Sequence, residues 1–252
     1  MNRLCVLLCG LCLQLMTPPV NAGSITIAVA ANVQFAFQDI QAAFTHDTGI
    51  NVQTIIASSG KITAQVRSGA PFDVFLSADM DYPQILHKEG LTGSQPTVYA
   101  YGTLVLWTMS NLDLTSGLMV LTDPKVNKIA IANPKLAPYG RAALQALTHY
   151  RIVDVVRAKA VFGENVSQVN QYVYSHNVMA GITAKSVVLS PSMHGKGHWI
   201  EVPPDTYQPI AQGVVILKHG TGNAETDCAR FIRFLASAKA RKILADYGYG
   251  LP

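Results

Sequence analysis

Charge is scarce in this chain: only 13% of its 252 residues are Asp, Glu, Lys or Arg, and no basic run forms anywhere. A net charge of +4 without a Lys/Arg cluster offers nucleic acid no electrostatic footprint. Thiols are almost as rare. Cys5, Cys9 and Cys12 crowd the N-terminus, which leaves Cys228 alone in the body of the chain. One cysteine closes no internal disulfide and builds no thiolate zinc site. Its setting, Cys228-Ala-Arg-Phe-Ile-Arg-Phe-Leu, has helical spacing and suits a buried structural thiol. Beyond Leu4–Met16 no apolar stretch reaches membrane-spanning length, and neither a tandem repeat nor a low-complexity segment occurs.

What the N-terminus does contain is an export signal. Met1-Asn2-Arg3 supplies the positive start, Leu4–Met16 the apolar run, and Val20-Asn21-Ala22 the small-x-small cleavage pattern. The run is shorter than the about 20 residues a bilayer requires, so cleavage after about Ala22 is expected rather than anchoring. Leu7-Leu8 and Gly10-Leu11 ahead of the cysteines fit a lipoprotein signal poorly. Arg3 is the only charged residue lost with this segment. The remaining chain has room for two small lobes or one large domain.

Ser24–Ala30 alternates apolar and small polar residues and reads as a strand, and Val33, Phe37, Ile40 and Phe44 then share one helical stripe. Asn32 occupies the N-cap position of that helix. Asn51–Ala57 is the next strand, Ser58-Ser59-Gly60 opens a helix through Ile62 and Val66, and Asp73–Ser77 is a third strand. Strand and helix in strict alternation predict parallel strands with crossover helices, an α/β layered fold. The middle of the chain repeats the theme. Lys128–Ala132 reads as a strand, Ala137-Pro138-Tyr139-Gly140 as a turn into a helix, and Asn165-Val166-Ser167 as the start of another. Ala180–Thr183 and Ser186–Leu189 read as short strands, and Ala224 to about Tyr247 as a closing helix on the first lobe. Tyr99–Met109 and Pro209–Leu217 are apolar enough to carry the chain between lobes as extended strands.

Four helix starts thus bear small polar residues: Ala30-Ala31-Asn32, Ala57-Ser58-Ser59-Gly60, Ala137–Gly140 and Glu164–Ser167. A helix start exposes unpaired N–H groups and a partial positive charge, so several starts at one cleft can hold a dianion without Lys or Arg. The plain alternative is that Asn32 and Ser59 merely cap their helices, that Tyr139 packs over a turn, and that Val166 is structural. Placement of Asn32 and Ser59 after successive strands, where ligands bind in such sheets, favours contact with a ligand.

The run Ala30-Ala-Asn-Val-Gln-Phe-Ala-Phe-Gln-Asp-Ile40, then Ala57-Ser-Ser-Gly-Lys-Ile62, then Gly69-Ala-Pro-Phe-Asp-Val-Phe-Leu-Ser-Ala-Asp79 resembles the periplasmic molybdate-binding proteins of ABC transporters. The likeness runs through the whole mature chain to Tyr247-Gly-Tyr249. It implies the type II periplasmic-binding fold, two lobes joined by two crossover strands. The expected lobes are residues 23–102 with 215–252, and residues 103–214. It implies an exported, periplasmic monomer that captures molybdate, with tungstate as a companion, for the permease of an ABC importer, with no enzyme activity and no cofactor. The family has two site variants. Tyr139 in Ala137-Pro-Tyr-Gly, and no Tyr in Gly181-Ile-Thr-Ala184, match the variant whose ligands carry over as Asn32, Ser59, Tyr139 and Val166, with an added N–H from Ala31. Molybdenum would be held there as its oxyanion, not as a protein-ligated cation.

The chemistry of these groups agrees. Molybdate and tungstate are proton-free tetrahedral dianions, which need donors only, and hydroxyl, amide, phenol and backbone N–H supply them. Phosphate usually keeps a proton and would welcome a carboxylate, which the first three loops lack; Glu164 in the fourth is expected to face solvent. Sulfate and thiosulfate stay open on these grounds, as does a sensor of the same fold. An enzyme would need a nucleophile, a carboxylate pair or a metal at the helix starts, and none is placed there. Lys61 and Arg141 are expected in solvent, and Asp73 and Asp79 as braces around Ser77. His194-Gly-Lys-Gly-His198 lacks a third ligand and a helix, and Gly220-Thr-Gly222 lacks the Lys-Ser/Thr of a phosphate loop.

Overall fold

In the computed structural model, which describes residues 23–222 and 224–252, strand β1 (Ser24–Ala30) runs into a tight 3-10 turn over Ala31–Val33 and then α1 (Gln34–Thr48). The expected signal over 1–22 lies outside the described residues. Alternation along β1 sends Ile25, Ile27 and Val29 to one face and Ala28 to the other. Phe37, Ile40 and Phe44 of α1 cover the first face, and Gly49 ends the helix at φ 72°, a left-handed cap that glycine adopts without strain. Then come β2 (Asn51–Ala57), α2 (Ser59–Arg67), β3 (Val74–Leu76) and α3 (Asp81–Lys88). Ile62, Val66 and Leu86 pack with Ala28 and Phe75 on the second face. Parallel β1 pairs with β2 and β3, so helices cover both faces of a doubly wound layer.

The chain crosses once between β4 (Thr97–Gly102), in the first sheet, and β5 (Leu104–Thr108), in the second; Thr103 alone separates them. The second lobe adds β6 (Ile129–Ala132), α4 (Pro138–His149), α5 (Val153–Arg157), β7 (Ala160–Gly163), α6 (Val166–Tyr174), β8 (Ala180–Ala184), α7 (Lys185–Val188) and β9 (His198–Glu201). β10 (Ile210–Ile216) then returns to the first sheet, antiparallel to β3 and β4, and α8 (Glu225–Leu235) and α9 (Ala238–Asp246) follow. The sheet orders are β2-β1-β3-β10-β4 and β7-β6-β8-β5-β9. Each lobe therefore has an edge strand, a central parallel pair and two strands contributed by the crossings.

Three expectations change. β10 lies wholly in the first sheet, so the return crossing falls between β9 and Ile210, and the expected lobe boundary at 214/215 cuts through a strand. Ser186–Leu189 is not a strand: Lys185–Val188 is a short helix, closed by the Leu189 N–H donating to the Lys185 carbonyl at 3.2 Å. A short apolar run cannot be told from a buried helical turn by periodicity. The closing helix is two helices, because the Ser237 hydroxyl accepts from the Ala240 N–H at 3.3 Å and caps a fresh start. Cys228 is fully buried beside Phe231, and burial pushes its thiol up to about 12, so it remains an unreactive core residue.

Candidate functional site

The four helix starts converge. Ala30-Ala31-Asn32 after β1, Ser58-Ser59 after β2, Ala137-Pro138-Tyr139 after β6 and Asn165-Val166 after β7 line one cavity, with Ala78 beyond β3. Ala31, Asn32, Ser59, Tyr139 and Val166, the residues expected from sequence, are all in this lining. Every contributing segment leaves the carboxyl end of a strand, the position where open α/β sheets place ligands. A roomier hollow alongside, lined by Asp79, Asp81, Arg141 and Gln208, presents carboxylates that would repel an anion.

The backbone is unevenly satisfied here. α2 and α6 carry side-chain caps: Ser58 accepts from the Lys61 N–H at 3.3 Å and Asn165 from the Gln168 N–H at 3.1 Å. α1 and α4 carry none. Among the described residues no acceptor pairs with the N–H groups of Ser59, Tyr139 or Val166. All three residues are at least 97% buried, with 1%, 2% and 3% of their surface exposed. A buried donor without a partner costs about 1–3 kcal/mol. Three of them around one cavity amount to a built demand for acceptor oxygen.

Side chains complete the lining, though not as simple caps. Ser59 lies inside α2 rather than at its cap; its Oγ accepts from the Ala78 N–H at 2.9 Å, which leaves the hydroxyl proton to donate. Asn32 does not cap α1 either. Its Nδ2 donates to Gln212 Oε1 at 2.8 Å and to the Tyr249 hydroxyl at 3.3 Å, while Oδ1 is buried without a partner. The Tyr139 hydroxyl accepts from Gln212 Nε2 at 3.1 Å. Burial, reinforced by Tyr249 and Tyr99 nearby, holds the Tyr139 phenol well above the ordinary tyrosine range, so it stays a neutral donor.

The lobes touch around this cavity. The Gly60 N–H donates to the Leu136 carbonyl at 2.9 Å, Ser186 Oγ to the Asn32 carbonyl at 2.7 Å, and the Tyr82 hydroxyl to the Lys135 carbonyl at 3.3 Å. A Cβ on Gly60 would stand 2.8 Å from the Tyr82 hydroxyl and 3.0 Å from Leu136, so glycine is what permits this approach. Lys61 is exposed, as expected, and Arg141 is half-buried; both form ion pairs. Lys61 pairs across the cleft with Glu164 at 3.1 Å, and Arg141 pairs with Asp79 while lying over the Tyr82 ring. Neither cation lines the cavity. Asp79 braces the turn around Ser77 as expected, accepting from Ser77 Oγ at 3.1 Å and the Tyr82 N–H at 3.3 Å. Asp73 instead ties β1 to the chain ahead of β3, accepting from the Thr26 N–H at 2.7 Å and meeting His219 Nδ1 at 2.7 Å. Burial raises the pKa of Asp79, and Arg141 offsets only part of that.

Gln212, Tyr99 and Tyr249 went unremarked as site residues in the sequence. The available signal was one amide inside the otherwise apolar Ile210–Leu217 run: Gln212 is fully buried, and a polar group in a core strand must have partners.

Comparison with known proteins matches residues 25–250 to the family model described as "Bacterial extracellular solute-binding protein". Molybdate-binding protein ModA of Azotobacter vinelandii is 38% identical over 92% of this chain and 91% of its own length. ModA of Rhodobacter capsulatus is 37% identical over 92% and 90%. The solved periplasmic molybdate-binding protein of A. vinelandii superposes with a TM-score of 0.85 at 32% identity, over 90% of this chain and 99% of that one.

Proposed function

This chain belongs to the bacterial extracellular solute-binding proteins, and from that premise we propose that it captures molybdate between its lobes and passes it to the permease of an ABC importer. The observation that carries this reading is the set of buried, unpaired N–H groups of Ser59, Tyr139 and Val166 on one cavity. To them the site adds the Ser59 hydroxyl, the Tyr139 phenol and the turn over Ala31–Val33, whose N–H groups stand ahead of α1. With its amide protons committed to Gln212 and Tyr249, Asn32 contributes its backbone N–H. Each donor to a charged oxygen is worth about 1.5–3 kcal/mol. No cavity-lining residue is a carboxylate, which suits a dianion that carries no proton.

Tungstate shares the shape and charge of molybdate and is part of the proposal. Release and capture work by hinging about Thr103 and the segment between β9 and β10, with the guest holding the lobes in contact. The protein acts as an exported periplasmic monomer, with residues 1–22 removed, and catalyses no reaction. Isothermal calorimetry with molybdate, tungstate and sulfate is the direct test. Tight heats for the first two, with sulfate far weaker, are expected; sulfate binding as well as molybdate would move the assignment to a general sulfate-type carrier.

A further inference from the structure

Gln212 is fully buried and lines no part of the cavity. It sits on β10 where the β10–β4 register shifts between Gln212 and Gly213. Ala100 opposes Gln212 and Val98 opposes Gly213, so Tyr99 is an extra residue on β4. Tyr99 meets Gln212 directly, its hydroxyl donating to Oε1 at 2.8 Å.

The hydrogen bonds around Gln212 run in one direction. Tyr249 donates its single proton to the Asn32 carbonyl at 2.9 Å, so it can face the Asn32 side chain only as an acceptor. Nδ2 of Asn32 therefore lies on that side, and its second proton goes to Gln212 Oε1. With Oε1 filled by Asn32 and Tyr99, the amide turns Nε2 toward Tyr139. Tyr139 then receives a proton from Gln212 and keeps its own proton to donate; among the described residues no hydrogen bond from that hydroxyl is formed, and the Asn32 side chain is the other polar group beside it. Gly102 keeps the pair together at the crossing: a Cβ there would collide with the Tyr139 hydroxyl and the Gln212 amide.

We propose that Gln212 is a positioning residue for anion capture: its amide, oriented by Asn32 and Tyr99, forces the Tyr139 phenol to donate into the cavity and joins the two lobes through that bond. This rests on the molybdate reading above. The chain Asn32–Gln212–Tyr139–oxyanion runs donor to acceptor throughout, so each link polarises the next. Gln212 comes from the first lobe and Tyr139 from the second, so the phenol is correctly aimed only when the lobes meet.

A double-mutant cycle on the full protein tests this, with molybdate affinity by calorimetry and melting temperature as the check on folding. Tyr139→Phe and Gln212→Met are each expected to weaken binding about tenfold. If Gln212 acts through Tyr139, the double variant stays near tenfold; losses that multiply to about a hundredfold would overturn the proposal. Gln212→Glu keeps the shape and reverses the polarity, so it should bind worse than Gln212→Met; equal affinities would count against the proposal. Should the Gln212 variants fail to fold, Tyr99→Phe takes their place: it should weaken binding a few-fold alone and not at all in the Tyr139→Phe background, whereas the same loss in both backgrounds would overturn the proposal. Wild-type protein giving no molybdate heat would instead remove the functional reading beneath it.

Discussion

In the first lobe Ser59 serves the fold and the site together: its oxygen holds the Ala78 N–H and its proton remains for a guest. The corresponding position after the edge strand of the second lobe is Val166, which has only its N–H to offer. The same contrast holds after the central strands. Asn32 is held by Gln212 and Tyr249 within the first lobe and by Ser186 from across the cleft, whereas Tyr139 depends on Gln212 from across the cleft. Equal strand orders thus support unequal sites. The first lobe's residues draw most of their bonds from their own lobe, while Tyr139 of the second draws its bond from across the cleft.

Ser59→Ala should separate these roles most visibly. It removes a donor to the anion and strands the buried Ala78 N–H, so affinity is expected to fall by about 1.5–3 kcal/mol and stability by about 1–3 kcal/mol. Both calorimetry and thermal melting should register it; an unchanged melting temperature would erase the contrast between the lobes. Val166→Pro is the matching change in the second lobe. Proline is welcome at the first position of a helix and removes the unpaired N–H, so affinity should drop by about 1.5–3 kcal/mol while ligand-free melting does not fall. Full affinity in this variant would mean that the backbone of α6 does not touch the guest. Lys61→Ala should do least. Its pair with Glu164 is about half exposed, so less than about 1 kcal/mol is expected, shrinking further in salt; a large loss would show a fixed cation contributing to anion capture.

The sequence was most readable where period and position coincide. β1, α1, β2 and α2 follow from alternation, a helical stripe and a glycine stop; Ala31, Asn32, Ser59, Tyr139 and Val166, the set implied by the family resemblance, line one cavity. The roles assigned to Asn32 and Ser59 as potential caps did not survive, because Ser58 caps α2 and a tight turn precedes α1. Lys61 and Arg141 find partners only across the cleft, which no local pattern encodes. Gln212 and Tyr249 were hidden for the same reason: their meaning depends on partners far along the chain. α7 differs from the expected strand because the short apolar run Val187-Val188-Leu189 satisfies strand and helix alike.

The Asn32 amide bonds to Gln212 and Tyr249 across 180 and 217 positions of sequence. The proposed donor ring therefore draws on segments from distant parts of the described chain and takes shape as they come together. Uptake of the guest doubles as an audit of maturation, since only molecules whose distant segments have found each other can respond to it.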